Sequence, residues 1–279
     1  MILVFGKTGQ VARALQELEP DARYVGRDEV DLAKPAQLAA FLRGTPATAI
    51  LNAAAYTAVD KAEEDRDLAM AVNGASVGTM AEHAAGQNIP FVHISTDYVF
   101  DGQGTAPHTP DDPVAPLGVY GQSKLAGEAL TRNAGGRHVI LRTSWVFSEY
   151  GGNFVKTMLR LSETRDALNV VDDQIGGPTP ASGIAQALLT ITHALLGGHP
   201  GGAYHYAGAP FTNWKCFARE TFARADRDVT VTGIPTADYP TPATRPLNSR
   251  LDCTTLETDF GIKPADWQAE LSRIIKVLT

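Results

Sequence analysis

The 279-residue sequence predicts an α/β fold: a doubly wound parallel sheet with a smaller C-terminal lobe. Three observations carry this expectation. Short apolar runs alternate with segments of helical period, roughly every 25–45 residues, as βαβ units require. The first run ends on a glycine turn that leads straight into a helix pattern. The alternation holds to about residue 141 and loosens after about 165.

Met1–Phe5 is continuously apolar, as a strand covered on both faces would be. Val11, Ala14, Leu15 and Leu18 then recur at helical spacing. Arg23–Val25 reads as a second strand, and 35–42 as a helix with proline in its first turn. Residues 48–51 form a third strand ended by Asn52, and the Ala-rich 65–85 one long helix. Residues 90–94 read as a fourth strand, 116–132 as a helix stopped by Gly135-Gly136, and 138–141 as a fifth strand. Right-handed crossovers wind these units into one sheet. Later come the loop 176–180, a helix over Ala181–Leu196, extended segments near 239–246, and an amphipathic helix over Trp267–Leu278. The expected division is 1–165 for the sheet and 166–279 mainly for the second lobe, with some of its segments returning to the sheet.

Composition narrows the function. With 44% apolar and 20% charged residues the chain is ordinary globular protein rather than disordered. A net charge of −7 gives no overall attraction to nucleic acid or to an anionic membrane. No apolar run is long enough to cross a bilayer, and the first residues lack a basic leader. The two cysteines, Cys216 and Cys253, have no paired spacing, which fits a reducing cytoplasm. The seven histidines are scattered without metal-ligand spacing, so no metal site is expected.

Gly6-Lys7-Thr8-Gly9-Gln10-Val11-Ala12 joins the first strand to the first helix. Glycines there let a pyrophosphate approach the helix N-terminus, the mark of a Rossmann-type dinucleotide site. The third small position is Ala12, which close helix–strand packing tolerates. A triphosphate-binding P-loop ending at Gly6-Lys7-Thr8 would need a glycine where Met1 stands. At the end of the second strand, Arg27 suits the 2′-phosphate of NADPH, whereas Asp28 leaves NADH open; a plain solvated turn would also carry these charges.

Tyr120 and Lys124 lie four apart and share a helix face. A lysine ammonium would lower the phenol pKa and suit it to protonate a carbonyl oxygen as hydride reaches the carbon. Ser95-Thr96-Asp97-Tyr98 and Asn52-Ala53-Ala54-Ala55 stand at strand ends, where a hydroxyl can polarise the same carbonyl and small residues admit a cofactor. Each feature alone is also ordinary turn or surface chemistry; their convergence on one sheet edge is what points to a site.

With those residues in place, the chain resembles the extended short-chain dehydrogenase/reductases, and within them the dTDP-4-dehydrorhamnose reductase family. The similarity is carried by the blocks at 5–11, 52–63, 95–100, 120–128 and 142–146. It continues in Asn153-Phe154, Asp173-Gln174, Gly177-Pro178-Thr179, Arg245-Pro246 and 248–251. The resemblance implies reduction of the C4 keto group of dTDP-4-dehydro-L-rhamnose by NADPH, with NADH possible as cofactor. Thr96, Tyr120 and Lys124 would be catalytic. Gly6, Thr8, Gly9, Gln10, Val11, Arg27, Asp31, Leu32, Ala53, Ala54, Ala55 and Tyr56 would join Tyr120 and Lys124 in holding the cofactor. Thr96, Asp97, Tyr98, Trp145, Arg245 and Arg250 would meet the nucleotide-sugar substrate. A buried core tryptophan and surface ion pairs are the competing readings of Trp145 and the two arginines. The resemblance leaves a monomer or a homodimer open. Ala14 and Ser182 stand where some family members carry acidic residues for a magnesium ion at a dimer interface, so no metal-bridged dimer is expected. Two alternatives remain: a reductase or epimerase of another nucleotide-linked keto sugar, and a non-catalytic NADP-binding regulatory subunit.

Overall fold

The computed structural model describes residues 1–279. Its centre is a parallel sheet of six strands: β1 (Ile2–Phe5), β2 (Arg23–Val25), β3 (Ala49–Asn52), β4 (Phe91–Thr96), β5 (His138–Thr143) and β6 (Gly201–His205), in the order β6-β5-β4-β3-β1-β2. Between β1 and β3 the winding reverses, and their carboxyl ends open there into a crevice, where ligands bind in such sheets.

Period-two alternation explains the two faces. Ile2 and Val4 of β1, with Leu51, Val92 and Leu141, pack under α1 (Gln10–Leu18) and α7 (Ala181–Leu196). Leu3 and Phe5, with Ile50 and Phe91, meet Leu38 and Leu42 of α2 (Pro35–Arg43) and Val77, Met80 and Ala81 on the opposite face. Each such fully buried side chain contributes about 1.5–3 kcal/mol.

The single helix expected over 65–85 is instead α3 (Arg66–Met70), a π turn at Ala71–Ala75 and α4 (Ser76–Gly86). Asn73 in the π turn gives the physical reason. Its amide accepts from Tyr56 N and donates to the Tyr56 carbonyl and to Ser123 Oγ, at 2.8, 3.0 and 3.0 Å. Ser123 lies on α5 (Val119–Ala134), so the widened turn ties the loop after β3 to the helix of the Tyr/Lys pair. That helix begins later than expected, and β4 and β5 run two residues further, which puts Ser95 and Thr96 inside β4.

The last third builds a second layer beyond the sheet's carboxyl edge. Strands Ala167–Val171 and Thr230–Ile234 pair in parallel, and Ile175–Gly176 is flanked by Thr212–Asn213 and Asn248–Ser249. Phe147, Phe217, Trp267, Leu271 and Ile274 form a core between α6 (Phe154–Ser162), α8 (Trp214–Arg224) and α10 (Trp267–Leu278). The chain between these parts returns to the sheet as α7 and β6, with α9 (Thr254–Phe260) against β6. No helix is long and apolar enough to cross a membrane.

Candidate active site

One cleft of about 910 Å³ follows the carboxyl edge from the β2 end to the second layer. At its floor the chain leaves β1 at Gly6, whose φ of +116° few side chains adopt. A Cβ there would come within 3.2 Å of the Ala53 backbone, so only glycine lets the two strand ends close together. Gly9 then caps α1 without any side-chain hydrogen bond, and a Cβ on it would meet nothing within 4 Å. An uncapped helix N-terminus facing an open cradle fits a pyrophosphate. Thr8, Gln10, Val11, Ala53, Ala54 and Ala55 line this stretch. Gln10 is held from across the cleft: its Oε1 accepts from Ser148 Oγ and Asn153 Nδ2, at 2.8 and 2.9 Å.

At the β2 end Arg27, Asp31 and Leu32 also line the cleft. Arg27 is exposed. Asp28 is engaged by Lys7, Nζ to Oδ2 3.1 Å, which holds its carboxyl below the usual range. Lys7 is a second cation at this end that sequence reading passed over, although its place beside Gly6 signalled it.

Thr96, Asp97, Tyr98, Tyr120 and Lys124 converge in the middle of the cleft. Their helix is placed by contact: a Cβ on Gly121 would lie 2.2 Å from the Tyr98 carbonyl oxygen, so α5 rests directly on that backbone. Further along α5, Glu128 is fully buried, and Arg142 of β5 meets it through two hydrogen bonds of 2.9 and 2.8 Å. Ser95 Oγ at 2.6 Å and Arg132 at 2.9 Å also donate to the carboxylate. Burial alone would raise the Glu128 pKa; Arg142, Ser95 and Arg132 outweigh it and hold the carboxyl below its ordinary value. This buried pair locks α5 to β4 and β5.

Tyr120 packs edge-on to Tyr98, ring centres 5.4 Å apart. Burial pushes its pKa up to about 12, with the neighbouring Thr96 hydroxyl pulling the other way. The expected lowering by Lys124 is absent here, because the lysine is turned elsewhere: Nζ donates to the Ile94 carbonyl at 2.6 Å and lies 3.3 Å from His93 Nε2. Burial brings the Lys124 pKa down to about 8. Thr96 Oγ1 donates to Asp97 Oδ1 at 3.0 Å, while Asp97 Oδ2 has no partner. Burial raises Asp97 to about 6 against the opposing Ser249 and Thr96 hydroxyls.

Trp145 forms the far wall. Its φ of +49° is unusual for a side chain of this size, and its ring stacks on Trp214 of α8 at 3.6 Å between centres. Trp214 is in turn held by Gln174, Nε1 to Oε1 3.0 Å. The indole is therefore cleft wall and not core, fixed by the second layer.

Three expected residues stand apart from the cleft lining. Tyr56 turns its hydroxyl to Asp65 at 2.9 Å. Arg245 makes a two-pronged pair with Asp60, at 3.0 and 2.7 Å. Arg250 hydrogen-bonds Asn248 Oδ1 at 2.9 Å. Conversely Val72 of the π turn, Ser144 and Gly151 line the cleft without having been singled out. Only the π turn brings Val72 there, and no local signal announces it. Ala14 and Ser182 border a separate hollow of about 420 Å³ behind α1, where Ser182 Oγ donates to Glu270 at 3.1 Å.

Known proteins share this sequence pattern and fold over the whole chain. The family model described as the RmlD substrate binding domain matches residues 1–279. A dTDP-4-dehydrorhamnose reductase of Sinorhizobium fredii is 45% identical, over 99% of this chain and 97% of its own. The crystal structure of a dTDP-4-dehydrorhamnose reductase from Clostridium acetobutylicum superposes with a TM-score of 0.93 at 34% identity, covering 99% of both chains. That of the Bacillus anthracis reductase in complex with NADP gives 0.92 at 32% identity, covering 100% of this chain and 99% of that one. With its whole length matched by the family model and by such relatives, the chain belongs to the RmlD substrate-binding-domain family, that of the dTDP-4-dehydrorhamnose reductases.

Proposed function

We propose that this protein reduces the C4 keto group of dTDP-4-dehydro-L-rhamnose to give dTDP-L-rhamnose, with NADPH as cofactor. The observation that carries the reading is the meeting of Thr96, Tyr120 and Lys124 with an uncapped, glycine-lined helix N-terminus in one cleft. The names of the relatives and the NADP complex of the Bacillus anthracis protein support the substrate and the cofactor.

When bound, NADPH supplies the hydride that the C4 carbon accepts. The first turn of α1, with Thr8 and the 53–55 backbone, would hold its pyrophosphate. Arg27, with Lys7 drawn from Asp28, would meet a 2′-phosphate. Tyr120 gives its proton to the C4 oxygen; its high pKa keeps that proton in place until negative charge develops on the substrate. Thr96 donates a hydrogen bond to the same oxygen by turning its one hydroxyl proton away from Asp97 Oδ1. Lys124 orients the nicotinamide ribose. Asp97, Tyr98 and Trp145 bind sugar and base, and residues 166–279, mainly the second lobe, close the substrate end. Arg245 and Arg250 would reach the substrate diphosphate only by exchanging Asp60 and Asn248 for it. A cytoplasmic site of action is part of the same proposal; two unpaired cysteines suit a reducing compartment.

The test is loss of NADPH absorbance with purified protein and dTDP-4-dehydro-L-rhamnose made in place by a dehydratase and an epimerase. Oxidation that needs both this protein and the epimerase is expected. Bound NADPH without turnover would overturn the substrate assignment.

A further inference from the structure

Lys124 does not sit at random in the cleft: beside the Ile94 carbonyl, its Nζ meets a buried pair, His93 and Asn52, that belongs neither to the cleft lining nor to the expected catalytic set. His93 in β4 and Asn52 at the end of β3 are wholly buried and face each other across the sheet, Asn52 Nδ2 to His93 Nδ1 3.1 Å. The other ring nitrogen, Nε2, faces Lys124 Nζ at 3.3 Å.

Hydrogen-bond bookkeeping then decides the protons. Asn52 Oδ1 accepts the Ala54 N–H at 3.1 Å, so the amide's orientation is set and its NH2 points at the ring. His93 Nδ1 must accept. Burial keeps the ring neutral, with its pKa well below the usual value. Its single proton therefore lies on Nε2 and points at Nζ. An ammonium there would oppose two donors in a buried place. An amine fits every partner: it donates to the Ile94 carbonyl and accepts from Nε2–H with its lone pair.

We propose that His93, its tautomer set by Asn52, is a positioning residue that favours the amine form of Lys124 in the cofactor-free protein, and that the Lys124 molecules seated as amine take a proton from solvent when the side chain leaves this seat for the cofactor. The second half rests on the cofactor reading above; the first does not. The charges around Nζ agree. From its own helix Glu128 favours the proton but is already matched by Arg142, and Tyr120 is neutral. β4 presents His93, β3 the uncharged Asn52, and the π turn meets this stretch of α5 through the uncharged Asn73. Burial is the larger influence and opposes the proton. Asp97 is the one further acid in the middle of the cleft.

The cofactor-free protein labelled with 15N in histidine and 13C in lysine tests the seat directly. His93 should show the Nε2–H tautomer without titrating between about pH 6 and 9, and Lys124 should titrate with a midpoint near 8. Asn52→Asp presents only acceptors to Nδ1. It should turn the ring to the Nδ1–H form and raise the Lys124 midpoint by about one pH unit or more. His93→Phe, which removes the ring N–H, should raise the midpoint too and guards against an Asn52 variant that fails to fold. Calorimetry of NADPH binding in two buffers at pH 8 should show uptake of about half a proton, falling towards zero in Asn52→Asp. An Nδ1–H tautomer in the parent, or a Lys124 midpoint unmoved in both variants, would overturn the seat. Absence of NADPH binding would strike the cofactor reading and the proton uptake while leaving the labelled signals to decide the seat.

Discussion

Glu128→Gln tests how α5 is held. The substitution keeps the shape and removes the charge. One carboxylate oxygen becomes an NH2 group, and it must face either Arg142 Nη2 and Arg132, or Arg142 Nε and the Ser95 hydroxyl. Three of those four groups can only donate, so the variant sets donor against donor around an Arg142 that is 1% exposed. Breaking a buried pair in this way costs about 3–5 kcal/mol. For a chain of this length that lowers the melting temperature by roughly 6–20 °C. The assay is thermal unfolding followed by circular dichroism at pH 7 and again at low pH. The folded-state pKa of Glu128 is lowered, so its contribution is complete above the ordinary carboxylate range. It is lost as pH falls through the folded-state value, and the gap between parent and variant must shrink in acid. A variant melting within about 2 °C of the parent at pH 7 would refute the lock.

Tyr120→Phe should lower turnover by roughly 10²–10⁴-fold with NADPH affinity little changed, measured by steady-state rates and fluorescence titration. Gly121→Ala places a methyl 2.2 Å from the Tyr98 carbonyl. It should cost about 1–3 kcal/mol in denaturant unfolding and depress kcat as the helix start is pushed outward. Asp97→Asn should stabilise the protein: a folded-state pKa of about 6 against the ordinary 3.8 means the ionised group opposes folding by about 3 kcal/mol above pH 6. That opposition fades as pH falls towards 3.8, so the variant's gain in melting temperature should be largest at pH 8 and nearly gone at pH 4. An equal gain at both would show that charge is not the cause.

The strand ends, the glycine turn and the Tyr120–Lys124 helix were legible because each rests on local signals, an apolar run or a spacing of four. The π turn was not, since its cause is Asn73 reaching Tyr56 and Ser123, a contact that no periodicity in the Ala-rich stretch records. Nor was β6: Gly201-Gly202 opens it and little about it looks strand-like until β5 supplies the register. Residue type alone favoured Trp145 as core, and only the stacking of Trp214, 69 positions on, makes it a wall. His93 was passed over as one of seven scattered histidines; its meaning lies in Asn52 and Lys124, brought together by the fold.

Because β6 is supplied by residues 201–205, the sheet's outer edge is sealed late in synthesis. A growing chain has β5, with its run Val139-Ile140-Leu141, ready roughly sixty residues before its neighbour leaves the ribosome, on the order of 3–12 s at ordinary elongation rates. During that interval an apolar strand offers an unpaired row of backbone groups to any passing chain. Nascent protein is thus most exposed to misassembly between the emergence of β5 and that of β6, and a holdase acting in that window would protect it most.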